Sequence, residues 1–238
     1  MRKIQTQMIV TGLISDGLAA SRLVAFCAIS ESRNLDYCKR ILNNLQNPTN
    51  VAIRGYIETQ KPEESFVFYR EMLRRSKRLQ PDNHTYPLLL KCCAKLSLVW
   101  VGLGVIAHVI HLGFDSDVYV NNAVIHLLVS CGELDDAHKV FDESCLRDLV
   151  SWNSITNGYV RSGGPWEALR LYRWMQQDGI KPDEVTMIAM ISSCAQLENL
   201  NLGMKFHRYV EENPIKMTVP LSKALMDMYV KCGNMEAA

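Results

Sequence analysis

The side chains of this 238-residue chain best equipped for chemistry are its eight cysteines and six histidines. Their spacing excludes most of what those residue types can do. The cysteines are Cys27, Cys38, Cys92, Cys93, Cys131, Cys145, Cys194 and Cys232, and no two stand as C-x-x-C. Structural zinc needs thiolates or imidazoles in closely spaced pairs, so no metal is called for. Disulfide scaffolds are short and dense in cysteine. This chain is neither, and its thiols read as reduced and structural. His108, His111, His126, His138 and His207 are scattered along helical patterns and read as packing residues. No His is followed two residues later by Glu, so the zinc deaminase signature is missing. Neither a G-x-x-x-x-G-K-[ST] phosphate loop nor a G-x-S-x-G nucleophile elbow occurs. The expectation is a chain with no catalytic residue and no cofactor, whose chemistry is that of side chains that bind.

Lys and Arg number 26 against 25 Asp and Glu, a formal net charge of +1, and 48% of residues are hydrophobic. That much apolar side chain excludes wholesale disorder. The charge balance argues against a polycationic tail but leaves room for nucleic acid, since one basic groove can sit on a neutral molecule. No window approaches the roughly 18 apolar residues of a membrane span. Met1, Arg2 and Lys3 lead into the mixed stretch Ile4 to Leu13. This lacks the apolar core of a secretory signal, and it is too poor in Arg and Ser for an organellar transit peptide.

Internal repetition organises the chain. Pro81-Asp82 returns 101 residues later as Pro182-Asp183, Thr85 as Thr186, and Cys93-Ala94 as Cys194-Ala195. Leu96 returns as Leu197, Gly102 as Gly203, Ala123 as Ala224, Cys131-Gly132 as Cys232-Gly233, and Ala137 as Ala238, all without a gap. Shorter units lie within the period. In Leu149 to Asp183, Trp152, Ile155, Tyr159 and Val160 form one helical face, and Ser162-Gly163-Gly164 breaks it. Pro165 suits a first helical turn. Ala168, Leu171, Tyr172 and Met175 give the next face. Asp178-Gly179 and Lys181-Pro182-Asp183 stop the chain there. The same grammar predicts helices over Tyr86 to Leu96 and Trp100 to Leu112, and a break at Cys131-Gly132-Glu133. Residues 83–117, 118–148 and 149–183 are thus three unequal helical hairpins. One hairpin cannot bury its own apolar face, whereas stacked neighbours can. The fold class expected is all-α, a right-handed α-solenoid of helix-turn-helix repeats. The first helices would line a concave groove suited to an extended peptide or a nucleic-acid strand.

Two repeat classes have about this length. Trp152, Gly158 and Tyr159 match the tetratricopeptide pattern in part, but its Leu-Gly pair is absent. The run from Asp148 through Trp152-Asn153 and Gly158-Tyr159 to Lys181-Pro182-Asp183 resembles a pentatricopeptide repeat (PPR). Glu133-Leu-Asp-Asp-Ala-His-Lys-Val-Phe-Asp-Glu143 resembles the short variant of that repeat. Pro182 through Ser193-Cys194-Ala195 to Gly203 and His207 resembles the long one. Ordinary, long and short repeats in rotation are the mark of the plant PLS class. In that register 1–16 is part of a long repeat, 17–45 a short one, 46–82 ordinary, 83–117 long, 118–148 short, 149–183 ordinary, 184–218 long and 219–238 a short repeat cut off. The chain then reads as a piece of a longer array.

PPR repeats read one base per helical repeat. The resemblance places the readers at the fifth and last residues of each repeat: Asn50 with Asp82, Pro87 with Asp117, Asn122 with Asp148, Asn153 with Asp183, and Ile188 with Thr218. A carboxamide both donates and accepts, and the Asp orients it or bridges to the base through water. By the resemblance, Asn with Asp favours uracil and tolerates cytosine. Second residues, here Tyr119, Val150 and Val185, sandwich the bases. Pro87 and Ile188 cannot make the amide contact, and Lys223 stands where Asn is typical. Asp117, Asp148 and Asp183 also suit a helix N-cap. The basic run Arg70, Arg74, Arg75, Lys77 and Arg78 suits a solvated outer face.

The function implied is sequence-specific binding of single-stranded organellar RNA, in mitochondrion or chloroplast, as site recognition for C-to-U editing. A deaminase or other editing-complex proteins would be partners, with no membrane involved. The alternative is a tetratricopeptide-like scaffold for an extended peptide. Because no thiol spacing suits a metal, EDTA is expected to leave the helical far-UV circular dichroism unchanged. Loss of that signal on chelation would overturn the reading.

Overall fold

The computed structural model describes residues 62–74 and 81–234, together with Ile53 and Ile57. The repeats expected over residues 1–16 and 17–45 lie outside the described residues. Ten helices are described: α1 (Glu64–Arg74), α2 (Thr85–Leu96), α3 (Val99–His111), α4 (Val118–Cys131), α5 (Leu134–Glu143), α6 (Leu149–Arg161), α7 (Pro165–Gln177), α8 (Glu184–Gln196), α9 (Leu200–Glu212) and α10 (Val219–Lys231). No strand occurs among the described residues. None of the described helices is long and apolar enough to cross a membrane. The chain divides into two compact units, Met1–Ala123 and Val124–Ala238. Within each, helical hairpins stack as in an α-solenoid.

In the second unit the local chemistry of each break is visible. After α6 the Gly164 N–H reaches back to the Tyr159 carbonyl at 2.9 Å across Gly163, whose φ is +74°. This left-handed step closes the orphan carbonyls of the helix end and costs glycine no Cβ clash. Pro165 then opens α7 at a position with no intrahelical hydrogen bond to lose. α7 closes the same way, with Ile180 N–H on the Met175 carbonyl at 3.1 Å.

The stacking follows from which faces are apolar. α8 packs on α6 before it and on α10 after it, so first helices lie on first helices. Met187, Met190, Ile191 and Cys194 of α8 are buried with Leu169 and Tyr172 of α7, Phe206 and Val210 of α9, and Leu221, Leu225 and Met228 of α10. Burial pushes the Cys194 thiol up to about 12, with Cys232 adding to the shift, so it is an inert core residue. Trp152 is buried too, edge-on to Phe141 with ring centroids 4.8 Å apart.

Polar latches tie second helices to their neighbours. Tyr159 Oη and His138 Nδ1 are 2.9 Å apart, and Tyr229 Oη and His207 Nδ1 are 2.8 Å apart. In the first unit Tyr69 Oη meets His108 Nδ1 at 2.7 Å. There the Cys92 thiol donates to the Pro62 carbonyl at 3.2 Å, and Lys95 Nζ donates to the Ile57 carbonyl at 2.9 Å.

Gly158 marks a close approach between successive hairpins of the second unit. A Cβ built there would lie 2.9 Å from Val129 Cγ2 and 2.9 Å from Leu134 Cδ1. Val129 cannot swing aside, because its branched side chain holds one favoured rotamer in a helix. Helix propensity alone gives Gly158→Ala about 1 kcal/mol of stabilisation. Overpacking costs about 1–3 kcal/mol and outweighs it. Gly158→Ala is therefore expected to lower the thermal unfolding midpoint, and a raised midpoint would contradict this packing.

Candidate nucleic-acid interface

Every described repeat junction is built on one short polar side chain. Asp148 Oδ1 accepts the Ser151 N–H at 3.0 Å while the Asp148 N–H reaches Ser151 Oγ at 3.2 Å. Asp183 and Thr186 make the same reciprocal box, at 2.9 and 3.2 Å. Asp82 Oδ1 accepts from the N–H and hydroxyl of Thr85, at 2.8 and 2.7 Å. Asp117 Oδ1 accepts from Tyr119 N–H at 2.9 Å and Val120 N–H at 3.1 Å. Thr218 Oγ1 accepts from Leu221 N–H at 3.4 Å. Each satisfies donors that the first turn of a helix leaves open. The last residue of one repeat thus closes the start of the next repeat's first helix, as expected of Asp117, Asp148 and Asp183.

Asp183 has a second task. Asn153, on the second turn of α6, donates an Nδ2–H to Asp183 Oδ1 at 3.0 Å. The Thr186 hydroxyl lies 2.7 Å from Asn153 Oδ1 and 2.9 Å from Asp183 Oδ1, its single proton serving one at a time. The carboxamide is held at both ends and is half-buried. One N–H and one oxygen lone pair remain for a ligand. The fifth and last residues of repeat 149–183 are therefore in direct contact.

The other predicted positions are placed as follows. Asn122 is buried on α4, and Asp148 caps α6. Asn50 lies outside the described residues; Asp82 caps the turn into α2. The three second-position side chains are exposed, Tyr119 at 67%, Val150 at 55% and Val185 at 45%. That exposure leaves their faces open to a flat ligand. Lys223 is exposed on α10. Of the basic run, Arg70 is exposed on α1, while Arg75, Lys77 and Arg78 lie outside the described residues.

Three polar residues of these junctions were not picked out from the sequence as site residues. Thr186 sits three residues after Asp183, the spacing of a capping box, and that spacing could have flagged it. Asn83 donates Nδ2–H to Asp117 Oδ2 at 2.9 Å. The Thr218 hydroxyl donates to the carboxylate of Glu184. Asn83 and Glu184 are 101 residues apart, but their types differ, so repeat matching passes over them.

Asp183 carries both the α8 cap and the Asn153 anchor, so removing it exposes two consequences at once. Asp183→Ala is expected to cost about 1–2 kcal/mol in urea denaturation, the usual worth of an N-cap. Asn153→Ala, which spares the cap, is expected to cost less. Equal losses would show that the cap contributes little here.

Comparison with known proteins agrees with this architecture. A model described as PPR repeat family matches residues 147–196, and one described as PPR repeat matches 49–76 and 122–148. A mitochondrial pentatricopeptide repeat-containing protein of Arabidopsis thaliana is 49% identical over 243 residues, covering 100% of this chain and 36% of the relative. A chloroplastic/mitochondrial one from the same plant is 39% identical over 217 residues, covering 88% of this chain and 34% of the relative. The chain thus spans about a third of the length of these relatives. Among solved structures, the pentatricopeptide repeat protein PPR10 in complex with an 18-nucleotide psaJ RNA element superposes with a TM-score of 0.67 at 17% identity. That match covers 99% of this chain and 36% of the other. On the repeat models, the plant relatives and the shared fold, this chain belongs to the pentatricopeptide repeat family.

Proposed function

We propose that this chain binds single-stranded RNA in a sequence-specific way, as the recognition part of a PLS-class factor that marks sites for C-to-U editing of organellar transcripts. The observation that carries the reading is the Asn153 carboxamide fixed by Asp183 and Thr186. A fixed amide presents one donor and one acceptor in a set orientation, which is what a base edge requires. Exposed Val150 and Val185 stand beside the two members of that pair. Bases splayed out of a single strand are read by this combination of edge hydrogen bonding and contact with their flat faces. PPR10, the structural neighbour, was crystallised with RNA. The names of two Arabidopsis relatives place them in mitochondria or chloroplasts, which supports an organellar setting. The alternation of 35- and 31-residue repeats supports the PLS class. A deaminase, or other proteins of an editing complex, would then supply the chemistry next to the bound strand.

The pairs Asn122/Asp148 and Asn153/Asp183 belong to adjacent repeats and assign two neighbouring pyrimidines, preferably uridines. Asn50/Asp82 assigns a further pyrimidine upstream, beyond the base opposite repeat 83–117. With RNA running 5′ to 3′ along the repeats from N- to C-terminus, the order is Y-N-U-U. Losing one good base contact costs about 1–3 kcal/mol by analogy with base-edge contacts in DNA. Asn153→Thr is expected to move preference at the last of these positions from U towards G. Affinities of both proteins for RNAs differing only at that base test this. If both rank the four bases identically, Asn153 is only a structural amide; a phosphate contact would instead weaken all sequences alike.

A further inference from the structure

The base opposite repeat 83–117 is one of two, with that opposite repeat 184–218, that the pairing of fifth and last residues leaves without an amide reader, because the Pro87 side chain has no donor or acceptor. The junction is nevertheless built with the same two groups as its counterpart at Asp183. Asn83 donates Nδ2–H to Asp117 Oδ2 at 2.9 Å, against 3.0 Å for Asn153 and Asp183. In both places the Asp also caps the next helix. The difference is register, with Asn83 the first residue of its repeat and Asn153 the fifth. The fifth position is one helical turn further on.

The substitution belongs to the long repeat and is not a chance contact. Glu184, the first residue of the other long repeat, meets Thr218, the last, and Ile188 at the fifth position is apolar. In both cases 34 residues separate the partners. In the ordinary repeat the first residue is Leu149, and the fifth residue makes the contact instead.

Asp117 divides its oxygens. Oδ1 takes the two backbone N–H groups of α4, and Oδ2 takes the Asn83 amide. The amide is half-buried and keeps its second N–H and its oxygen. Two ring-bearing residues lie close to the pair along the chain. His84, next to Asn83, is exposed, and Tyr119, whose own N–H is bonded to Asp117, is 67% exposed. Aromatic faces of this kind stack bases; the Asn153 site has only Val150 and Val185.

We propose that Asn83, held by Asp117 and with exposed His84 and Tyr119 close to the two along the chain, reads the RNA base opposite repeat 83–117, and that this base is a uridine. The proposal rests on the RNA-binding reading above. The amide and carboxylate are the pair assigned to uridine at Asn153/Asp183, moved by one turn, so the same base edge is matched.

The test measures the full chain against four RNAs that differ only at the intervening position of Y-N-U-U, and against a fifth with an abasic nucleotide there. Wild type is expected to prefer U by about fivefold or more over the other bases and to bind the abasic strand more weakly still. Asn83→Ala is expected to flatten the ranking of the four bases while leaving the preference at the Asn153 position intact. The abasic strand needs no variant, so the result stands even where Asn83→Ala disturbs folding. Equal binding of all five RNAs by wild type overturns the proposal, as does an unchanged ranking in folded Asn83→Ala. Asn153→Thr run in parallel separates the two readings. A shift at its own base with no discrimination at the intervening one sinks only this inference, and no discrimination anywhere sinks both.

Discussion

The structure depends on one short polar side chain at each described repeat junction, a carboxylate in four of the five, that closes the start of a helix. A helix begins with four N–H groups that nothing inside it can satisfy. In an array of short helices joined by tight links, that debt recurs at every repeat. Asp82, Asp117, Asp148 and Asp183 meet it with a side chain that sits outside the helix. Because the cap lies between two repeats, it is also within reach of the preceding repeat's first helix. Asn153 and Asn83 use that proximity, each giving the cap one amide hydrogen. Local helix chemistry and the orienting of an amide are thus one interaction.

Much of this was legible in the sequence because it rests on residues with few conformational options. Gly163 and Pro165 announce the break between α6 and α7, since only glycine accepts the positive φ cheaply and proline suits a first turn. The pairing of Asn153 with Asp183 was likewise readable from their places in the repeat. What escaped is whatever depends on side-chain reach between helices. The latch between Tyr159 and His138 joins residues 21 apart on different helices. Spacing along one helix face says nothing about it. Asn83 escaped for a related reason. Its contact with Asp117 replaces one that proline forbids, and a reading tied to the fifth residue has no place for a partner at the first.

Holding the amide in advance matters for binding. A free Asn side chain would lose rotamer freedom on meeting a base, a cost of the order of 0.5–1.5 kcal/mol for each immobilised flexible side chain. With Asp183 on one end and Thr186 on the other, folding has already met that cost for Asn153. The helices behind it are fixed by the buried contacts of α8 with α6 and α10. Rigid elements carrying an oriented polar group are the usual basis of a selective site.

Sharing the cap also limits the residues that can stand at a repeat's end. The last residues of the described repeats are Asp82, Asp117, Asp148, Asp183 and Thr218, all side chains that favour N-caps. The fifth residues carry no such duty, and there Pro87, Asn122, Asn153, Ile188 and Lys223 span apolar, amide and cationic types. A change at the fifth position leaves the next helix capped. At the last position, a change outside Asp, Asn, Ser and Thr also opens the following helix. Side-chain diversity can therefore accumulate at the fifth residue, while helix capping confines the last one to a few polar types.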